Sequence, residues 1–302
     1  MNCTKYCVFW GRIMNIQILK GGFDGYELID SGNWKRLERF GDLKIIRHEP
    51  RAWWRNSAGK NEWNGADAEF DSDGRWSFRS GKIPPAFQMK FKDLKFEAKI
   101  SHASRHLGVF PEQSPHWEWI CSKKGIPQKG KRPTLLNMFA YTGISTLCAL
   151  SAGYEVVHVD ASKPALDWAK RNQELSGLGS APVRWLLDDA MKFLAREIRR
   201  NRSYDAIVLD PPSFGRGPSK ELWKAEESLH ELLSMCRQLL SDNPSYILLT
   251  MYNIEASSLM LGNILSDTCS GLGGAINCGE LILGQTTSEK VLPLSIFAKW
   301  ER

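Results

Sequence analysis

From position 134 onward the apolar residues fall into short runs, at Thr134–Met138, Glu155–Val159, Val183–Leu187, Tyr204–Leu209 and Ser245–Met251. Between them lie segments of helical spacing near Ile144–Ala152, Lys163–Ser176, Ala190–Arg200 and Lys220–Leu240. Short apolar runs bounded by turn signals are buried strands, and a strand followed by an amphipathic helix returns to its sheet by a right-handed crossover. The alternation predicts an α/β fold with a doubly wound, mostly parallel sheet. Gly279–Gly284 and Leu292–Trp300 follow one another with no helix between them, so this seven-stranded sheet finishes with an antiparallel strand.

The front half has a different period. Leu43–Arg47 is a short apolar run after Gly41, and Gly74–Gly81 alternates between turn glycines. Met89 and Phe91, then Leu94, Phe96, Ala98 and Ile100, alternate with charged residues, and the phase slips at Asp93, where a bulge or tight hairpin is expected. Trp34–Phe40 reads as a short helix between strands. These elements predict a small α+β domain with one lysine-rich exposed face. The polar, proline-bounded Pro127–Pro133 places its end, giving a front domain over 26–126 and a second domain over 127–302. Residues 1–25 form an N-terminal extension in which strand-like alternation starts only at Ile16; Met14 is a second candidate for the first residue.

Hydrophobic content of 42% and charged content of 25% belong to a globular chain. No apolar run reaches the roughly 18 residues of a membrane span, and the apolar patch near the N-terminus is too short for a signal peptide. Seven cysteines without a Cys-x-x-Cys pair point to a reducing, cytoplasmic setting and away from a disulfide framework or a zinc site. His102 and His106 are spaced i, i+4 but lack the acid of a His-Glu-x-x-His helix, so no metal is expected and a place in a turn or ligand pocket is. Charge is uneven: residues 1–132 hold 24 Lys/Arg against 15 Asp/Glu, and 133–302 hold 16 against 19. The basic half also carries Trp10, Trp34, Trp53, Trp54, Trp63, Trp76, Trp117 and Trp119. Basic residues interleaved with aromatics suit a surface that neutralises phosphates and stacks bases. They equally suit a small β core filled by tryptophan with lysines on its wet face.

The candidate chemistry sits where the predicted strands end. Asn137-Met138-Phe139-Ala140-Tyr141-Thr142-Gly143 closes one strand and opens a helix; Gly143 lets a ligand approach the backbone, and the free amides of a helix start favour a carboxylate. The next strand ends in Asp160, where a carboxylate can hold both hydroxyls of a ribose. A dinucleotide would want a Gly-x-Gly-x-x-Gly turn, and here Phe139 and Tyr141 replace the other glycines. The pocket therefore suits an adenosine-bearing ligand without pyrophosphate, which points to S-adenosylmethionine. Ser162 is the N-cap of the following helix with Pro164 in its first turn. At Asp188-Asp189 an acid either accepts from an adenine amino group, with Asp189 favoured, or caps the next helix. Asp210-Pro211-Pro212-Ser213-Phe214 ends the fourth run: consecutive prolines stop the strand and leave a rigid, open edge.

This combination resembles a class I S-adenosylmethionine-dependent methyltransferase with its Rossmann-like sheet. More narrowly it resembles the bacterial group that includes the large-subunit 23S rRNA methyltransferases acting on cytosine-5 and guanine-7. Gly108-Val109-Phe110-Pro111-Glu112-Gln113, followed by His116-Trp117, is similar to the segment that in that group precedes the catalytic domain and folds over the cofactor. The resemblance spans roughly Tyr26 to Trp300. It places Phe110, Gln113, Asn137 and Phe139 at the cofactor, together with Tyr141, Gly143, Asp160 and Asp189. One departure is informative. Cytosine-5 methylation needs a thiolate, which the group's cytosine enzymes carry just after the fifth strand, where this chain has Thr250-Met251-Tyr252-Asn253-Ile254. Cys236 falls within a predicted helix and reads as packing. The expectation is direct in-line transfer to a nitrogen or oxygen, with RNA bound through the basic front domain. Asp210 and the Pro211 carbonyl would accept from the target amino group, and Phe214 either stacks on the target or packs beneath the loop. The alternatives in other classes are a nicotinamide-dependent oxidoreductase and a catalytically silent RNA-binding protein.

Overall fold

In a computed structural model, residues 5–9, 12–79, 86–101, 104–125, 127, 130–219 and 221–302 are described, with side chains from Asn15 onward. Strands β1 (Lys5–Phe9) and β2 (Arg12–Gly21) form an antiparallel hairpin. Then come β3 (Tyr26–Gly32), β4 (Lys35–Phe40) and β5 (Leu43–His48), helix α1 (Lys60–Asn64), and strands β6 (Ala68–Phe70) and β7 (Trp76–Phe78). The hairpin β8 (Phe87–Phe91) and β9 (Leu94–Ala98) and helix α2 (Ser114–Ser122) complete the front of the chain. Alternation then sets in: β10 (Thr134–Met138), α3 (Ile144–Ser151), β11 (Glu155–Asp160), α4 (Lys163–Leu175), β12 (Val183–Leu187), α5 (Ala190–Arg199) and β13 (Ala206–Leu209). A small hairpin, β14 (Phe214–Arg216) and β15 (Leu222–Lys224), precedes α6 (Ala225–Gln238), β16 (Tyr246–Tyr252), α7 (Ser258–Thr268), β17 (Ala275–Gly284) and β18 (Val291–Glu301).

The main sheet has the order β1-β2-β17-β18-β16-β13-β10-β11-β12. Strands β12, β11, β10, β13 and β16 are parallel and β18 runs antiparallel to β16. The seven expected strands are the core of this sheet, and the β1–β2 hairpin extends it to nine. Residues cluster into two compact units, one of Met1–Leu19, His116–Glu280 and Ser295–Arg302, the other of Lys20–Pro115 and Leu281–Leu294.

In the first unit, alternate residues of each strand enter opposite faces. Leu136 and Met138 join Phe193 and Leu194 of α5, Leu232 and Leu233 of α6, and Leu261 and Leu265 of α7 in one buried cluster. Asn137 points the other way, toward α3, where its Nδ2 donates to Thr146 Oγ1 at 2.9 Å. Helix α7 went unread in the sequence, and the expected helix over Lys220–Leu240 starts only at Ala225, because Leu222–Lys224 pairs with Phe214–Arg216. No described helix is long and apolar enough to cross a membrane.

In the second unit, β3, β4, β5, β6 and β7 form one sheet. The expected helix over Trp34–Phe40 is strand β4: Asn33 and Trp34, both at positive φ, make a two-residue turn that folds it back on β3. Its odd and even residues differ in what they bury. Leu37 enters a small apolar cluster, whereas Arg36 and Glu38, also buried, meet Arg47 of β5. Glu38 accepts Arg47 Nε at 2.7 Å and Nη2 at 2.8 Å, a bidentate fork, and the Tyr26 hydroxyl at 2.8 Å. The phase slip near Asp93 is a tight hairpin at Lys92 and Asp93, with Lys90, Lys92 and Lys95 exposed. Of the front tryptophans, Trp54, Trp63 and Trp76 are half-buried with their indole N–H groups bonded, while Trp34 and Trp53 are exposed at 54% and 77%. Trp10 lies outside the described residues.

Burial pushes the Glu38 carboxyl up, but the Arg36 and Arg47 guanidinium groups more than reverse this and hold it below the usual carboxylate range. Its contribution to stability is therefore complete at neutral pH and is lost as pH falls through that depressed value. Glu38→Gln leaves two buried cations short of their counter-charge and is expected to cost about 3–5 kcal/mol, read as faster amide hydrogen exchange across β3, β4 and β5.

Candidate functional site

The parallel strands all end on one edge, and their registers fix which ends are neighbours. Met138 pairs with Val159 on one side and Leu209 on the other, and Asp160 pairs with Leu187. The loop after β10 thus lies between Asp160 and Asp210, with Asp188 and Asp189 beyond Asp160. This strand-end edge is where ligands bind in open α/β sheets.

The loop itself is unusual. Phe139 at φ 55° and Tyr141 at φ 49° adopt the left-handed conformation that glycines would take in a dinucleotide turn. Gly143, at φ 83°, is held for a second reason: a Cβ there would stand 2.9 Å from Ala169 Cβ. The loop is pinned by Ala140 N–H to Val159 O at 3.2 Å, by Gly143 N–H to Ala140 O at 3.0 Å, and by Tyr141 N–H to Asp160 Oδ2 at 2.7 Å. Gly143 is also the N-cap of α3 and supplies no capping side chain, so amides of the first turn remain for an anionic group.

Asp160 Oδ1 accepts the Ser162 N–H at 2.8 Å. Burial raises its carboxyl above the usual range, and the two backbone donors offset only part of that shift. Each oxygen keeps a second lone pair with which to accept a hydroxyl. Ser162 caps α4, accepting the Ala165 N–H, with Pro164 in the first turn. At the next strand end the capping alternative is realised: Asp189 Oδ1 accepts the Lys192 N–H at 3.0 Å, while Asp188 is ion-paired with Arg196. Asp189 Oδ2 faces Gly217, where a Cβ would stand 3.0 Å away.

Asn137 is buried and spends its amide donor on Thr146, whose hydroxyl is 2.9 Å from His158 Nδ1. It supports the loop from behind. The Thr146 hydroxyl receives the Asn137 amide and also pairs with His158 Nδ1. Burial lowers this imidazole to about 3, so it is neutral.

On the other side of the loop, Asp210 is half-buried and Pro211 buried. Phe214 is 56% exposed; the ring packed beneath this loop is instead that of Trp223, which donates from Nε1 to Pro212 O at 2.6 Å and lies 5.2 Å from the Phe139 ring. Trp223 was missed in the sequence because it lay inside an expected helix, eleven residues from the double proline that it meets only in the fold. Phe110 and Gln113 belong to the other unit. There Phe110 is the N-cap and Gln113 the last residue of the 3-10 turn Pro111–Gln113, with the Phe110 ring 4.8 Å from that of His106. His116 is buried, with Nδ1 3.2 Å from Thr250 Oγ1 at the end of β16, and burial lowers it to about 3. His102 lies outside the described residues, among which no cluster of His, Cys, Asp or Glu could hold a metal. Cys236 is fully buried in α6, and burial pushes its thiol far up.

The arrangement can hold a ribose at Asp160, an anionic group at the start of α3 and a flat acceptor at Phe214. It lacks the further glycines of a pyrophosphate-binding turn. A ribosomal RNA large subunit methyltransferase I from Enterobacter sp. (strain 638) is 38% identical over 173 residues, 57% of this chain and 41% of that protein. The chain thus spans less than half the length of that relative. A crystal structure of an S-adenosylmethionine-dependent methyltransferase from Agrobacterium tumefaciens is 40% identical, covers 94% of this chain and 93% of its own, and superposes with a TM-score of 0.89. A methyltransferase solved with S-adenosylhomocysteine shares the fold at 17% identity and a TM-score of 0.71, with 91% and 75% covered. A model of the S-adenosylmethionine-dependent methyltransferase family matches residues 54–242, more than half of the chain, and to that family the chain belongs.

Proposed function

We propose that the chain methylates RNA at a nitrogen or oxygen, within the large ribosomal subunit. The observation that carries the choice of atom is the Asp210-Pro211-Pro212-Ser213-Phe214 edge, which presents a carboxylate, a proline carbonyl and an exposed ring but no thiol. S-adenosylmethionine, when bound, supplies an activated methyl group. Asp160 holds its ribose, the uncapped start of α3 its carboxylate, and Asp189 Oδ2 its adenine amino group. Phe139, Tyr141 and Gly143 shape the loop that receives it. Asn137 acts from behind through Thr146.

Toward the acceptor, Asp210 and the Pro211 carbonyl accept hydrogen bonds from a target amino group and aim its lone pair, while Phe214 offers a stacking face. An already activated donor needs alignment and exclusion of water more than a catalytic base. RNA as the acceptor is supported by the name of the ribosomal RNA relatives, by the excess of basic residues over 1–132 and by the exposed Trp34 and Trp53. The nicotinamide alternative is set aside with family membership. A silent RNA-binding protein is separated by transfer of labelled methyl to ribosomal RNA.

In a deletion strain, mass spectrometry of large-subunit rRNA nucleosides should show one N- or O-methylated nucleoside missing, restored by complementation; loss of a 5-methylcytosine would overturn the choice of atom. Asp160→Asn should weaken S-adenosylmethionine binding about 10- to 100-fold by calorimetry, matching loss of hydrogen bonds to a charged group. Because burial raises Asp160, acidification protonates it at a higher pH than an ordinary aspartate. Wild-type affinity should therefore fall on acidification from above the usual carboxylate range, a dependence that Asp160→Asn abolishes.

A further inference from the structure

At the opposite edge of the parallel sheet, where the strands begin, a cleft of about 790 Å³ is lined by residues from several separate stretches of the chain. Its floor is marked by Thr134, Glu155, Asp205 and Ser245, each at or just before the start of a parallel strand. Its rim carries Lys124, Lys131 and Arg132 from the segment before β10, and Arg202 from the loop after α5. Among the described residues none of these four side chains makes an ion pair or hydrogen bond, and the same holds for the side chains of Asn201 and Asn243, which also line it.

The carboxylates do not balance them. Asp205 is spent internally: Oδ2 accepts the Thr134 N–H at 2.7 Å and its hydroxyl at 3.3 Å, and Oδ1 accepts the Ser241 hydroxyl at 2.7 Å. Glu155, exposed at the start of β11, is the remaining acid of the lining. Three of the four cations come from the end of the basic stretch 1–132, and Arg202 joins them from 133–302. Exposed cations scattered on a convex surface are simply solvated. Gathered around a concavity they focus the field, and guanidinium forks and carboxamides are the donors that fit phosphate oxygens.

We infer that this cleft binds phosphate groups of the RNA acceptor, at a site separate from the catalytic edge. The inference rests on the RNA reading above. The two edges are one strand length apart, about 17 Å for five residues, so a mononucleotide in the cleft cannot reach the methyl donor, whereas a folded polynucleotide can occupy both.

The test is binding of a fluorescent rRNA hairpin by anisotropy from 50 to 300 mM KCl, with wild type and with Arg132→Gln/Arg202→Gln. Loss of two phosphate contacts should lower the slope of log K against log salt by about 1.4–1.8 and weaken binding at least about tenfold at 0.1 M salt. Calorimetric affinity for S-adenosylmethionine, unchanged in the double variant, shows that the fold persists. If wild type binds and the variant keeps both affinity and slope, the cleft is excluded and the RNA reading stands. If wild type binds no RNA, both fall. Displacement of the hairpin by inorganic phosphate, adenosine monophosphate or polyglutamate as effectively as by unlabelled RNA would overturn a polynucleotide as the ligand.

Discussion

The hydrogen bond from Tyr141 N–H to Asp160 Oδ2 is the contact on which the candidate site depends. Together with the Ala140 N–H to Val159 O bond, it ties the loop after β10 to the end of β11. Phe139 and Tyr141 both sit in the left-handed region, each at a cost on the order of 1 kcal/mol, so the loop persists because its surroundings over-determine it. The carboxylate gains too. Removed from water by burial, it recovers two charge-assisted bonds from backbone N–H groups and keeps lone pairs facing outward.

What lies behind the loop is consistent with that division of labour. Asn137, Thr146 and His158 form a buried polar chain across β10, α3 and β11. Its imidazole stays neutral because it is buried. A cationic histidine there would place positive charge beneath a site whose ligand carries a sulfonium. On the far side Trp223 packs against Phe139 and donates its indole N–H to the Pro212 carbonyl, while Phe214 faces outward.

Much of this was legible in the sequence where local rules act alone. The parallel strands, the Ser162 cap and the phase slip at Asp93 follow from period, cap chemistry and turn residues, and the family from the resemblance of its motifs. What failed did so for nonlocal reasons. Strand β4 was read as a helix because Arg36 and Glu38 look like surface residues; their burial depends on Arg47 and Tyr26, which only the sheet brings to them. Trp223 disappeared into a helix because a three-residue strand gives no periodic signal. Strand β17 continues from one unit into the other between Glu280 and Leu281, and uninterrupted alternation carries no mark of such a division. Asn137 was expected at the ligand because motif position says which loop a residue belongs to, while its side-chain direction was decided by Thr146 on α3.

The distribution of charge carries the argument one step further. The strand-end edge is rich in carboxylates, with Asp160, Asp188, Asp189 and Asp210, of which Asp188 is ion-paired with Arg196. Such an edge repels a phosphate backbone. For an RNA acceptor, affinity must then come from cations placed elsewhere, and the catalytic edge can receive only an uncharged part of the nucleotide. A base turned out of its stack, held by Asp210 and the Pro211 carbonyl against Phe214, meets that condition. Cys236 is sealed in α6 with its thiol pushed far from ionisation, and the Asp210–Phe214 segment carries no cysteine that could activate a ring carbon. The same edge that excludes the backbone therefore favours a base atom with its own lone pair.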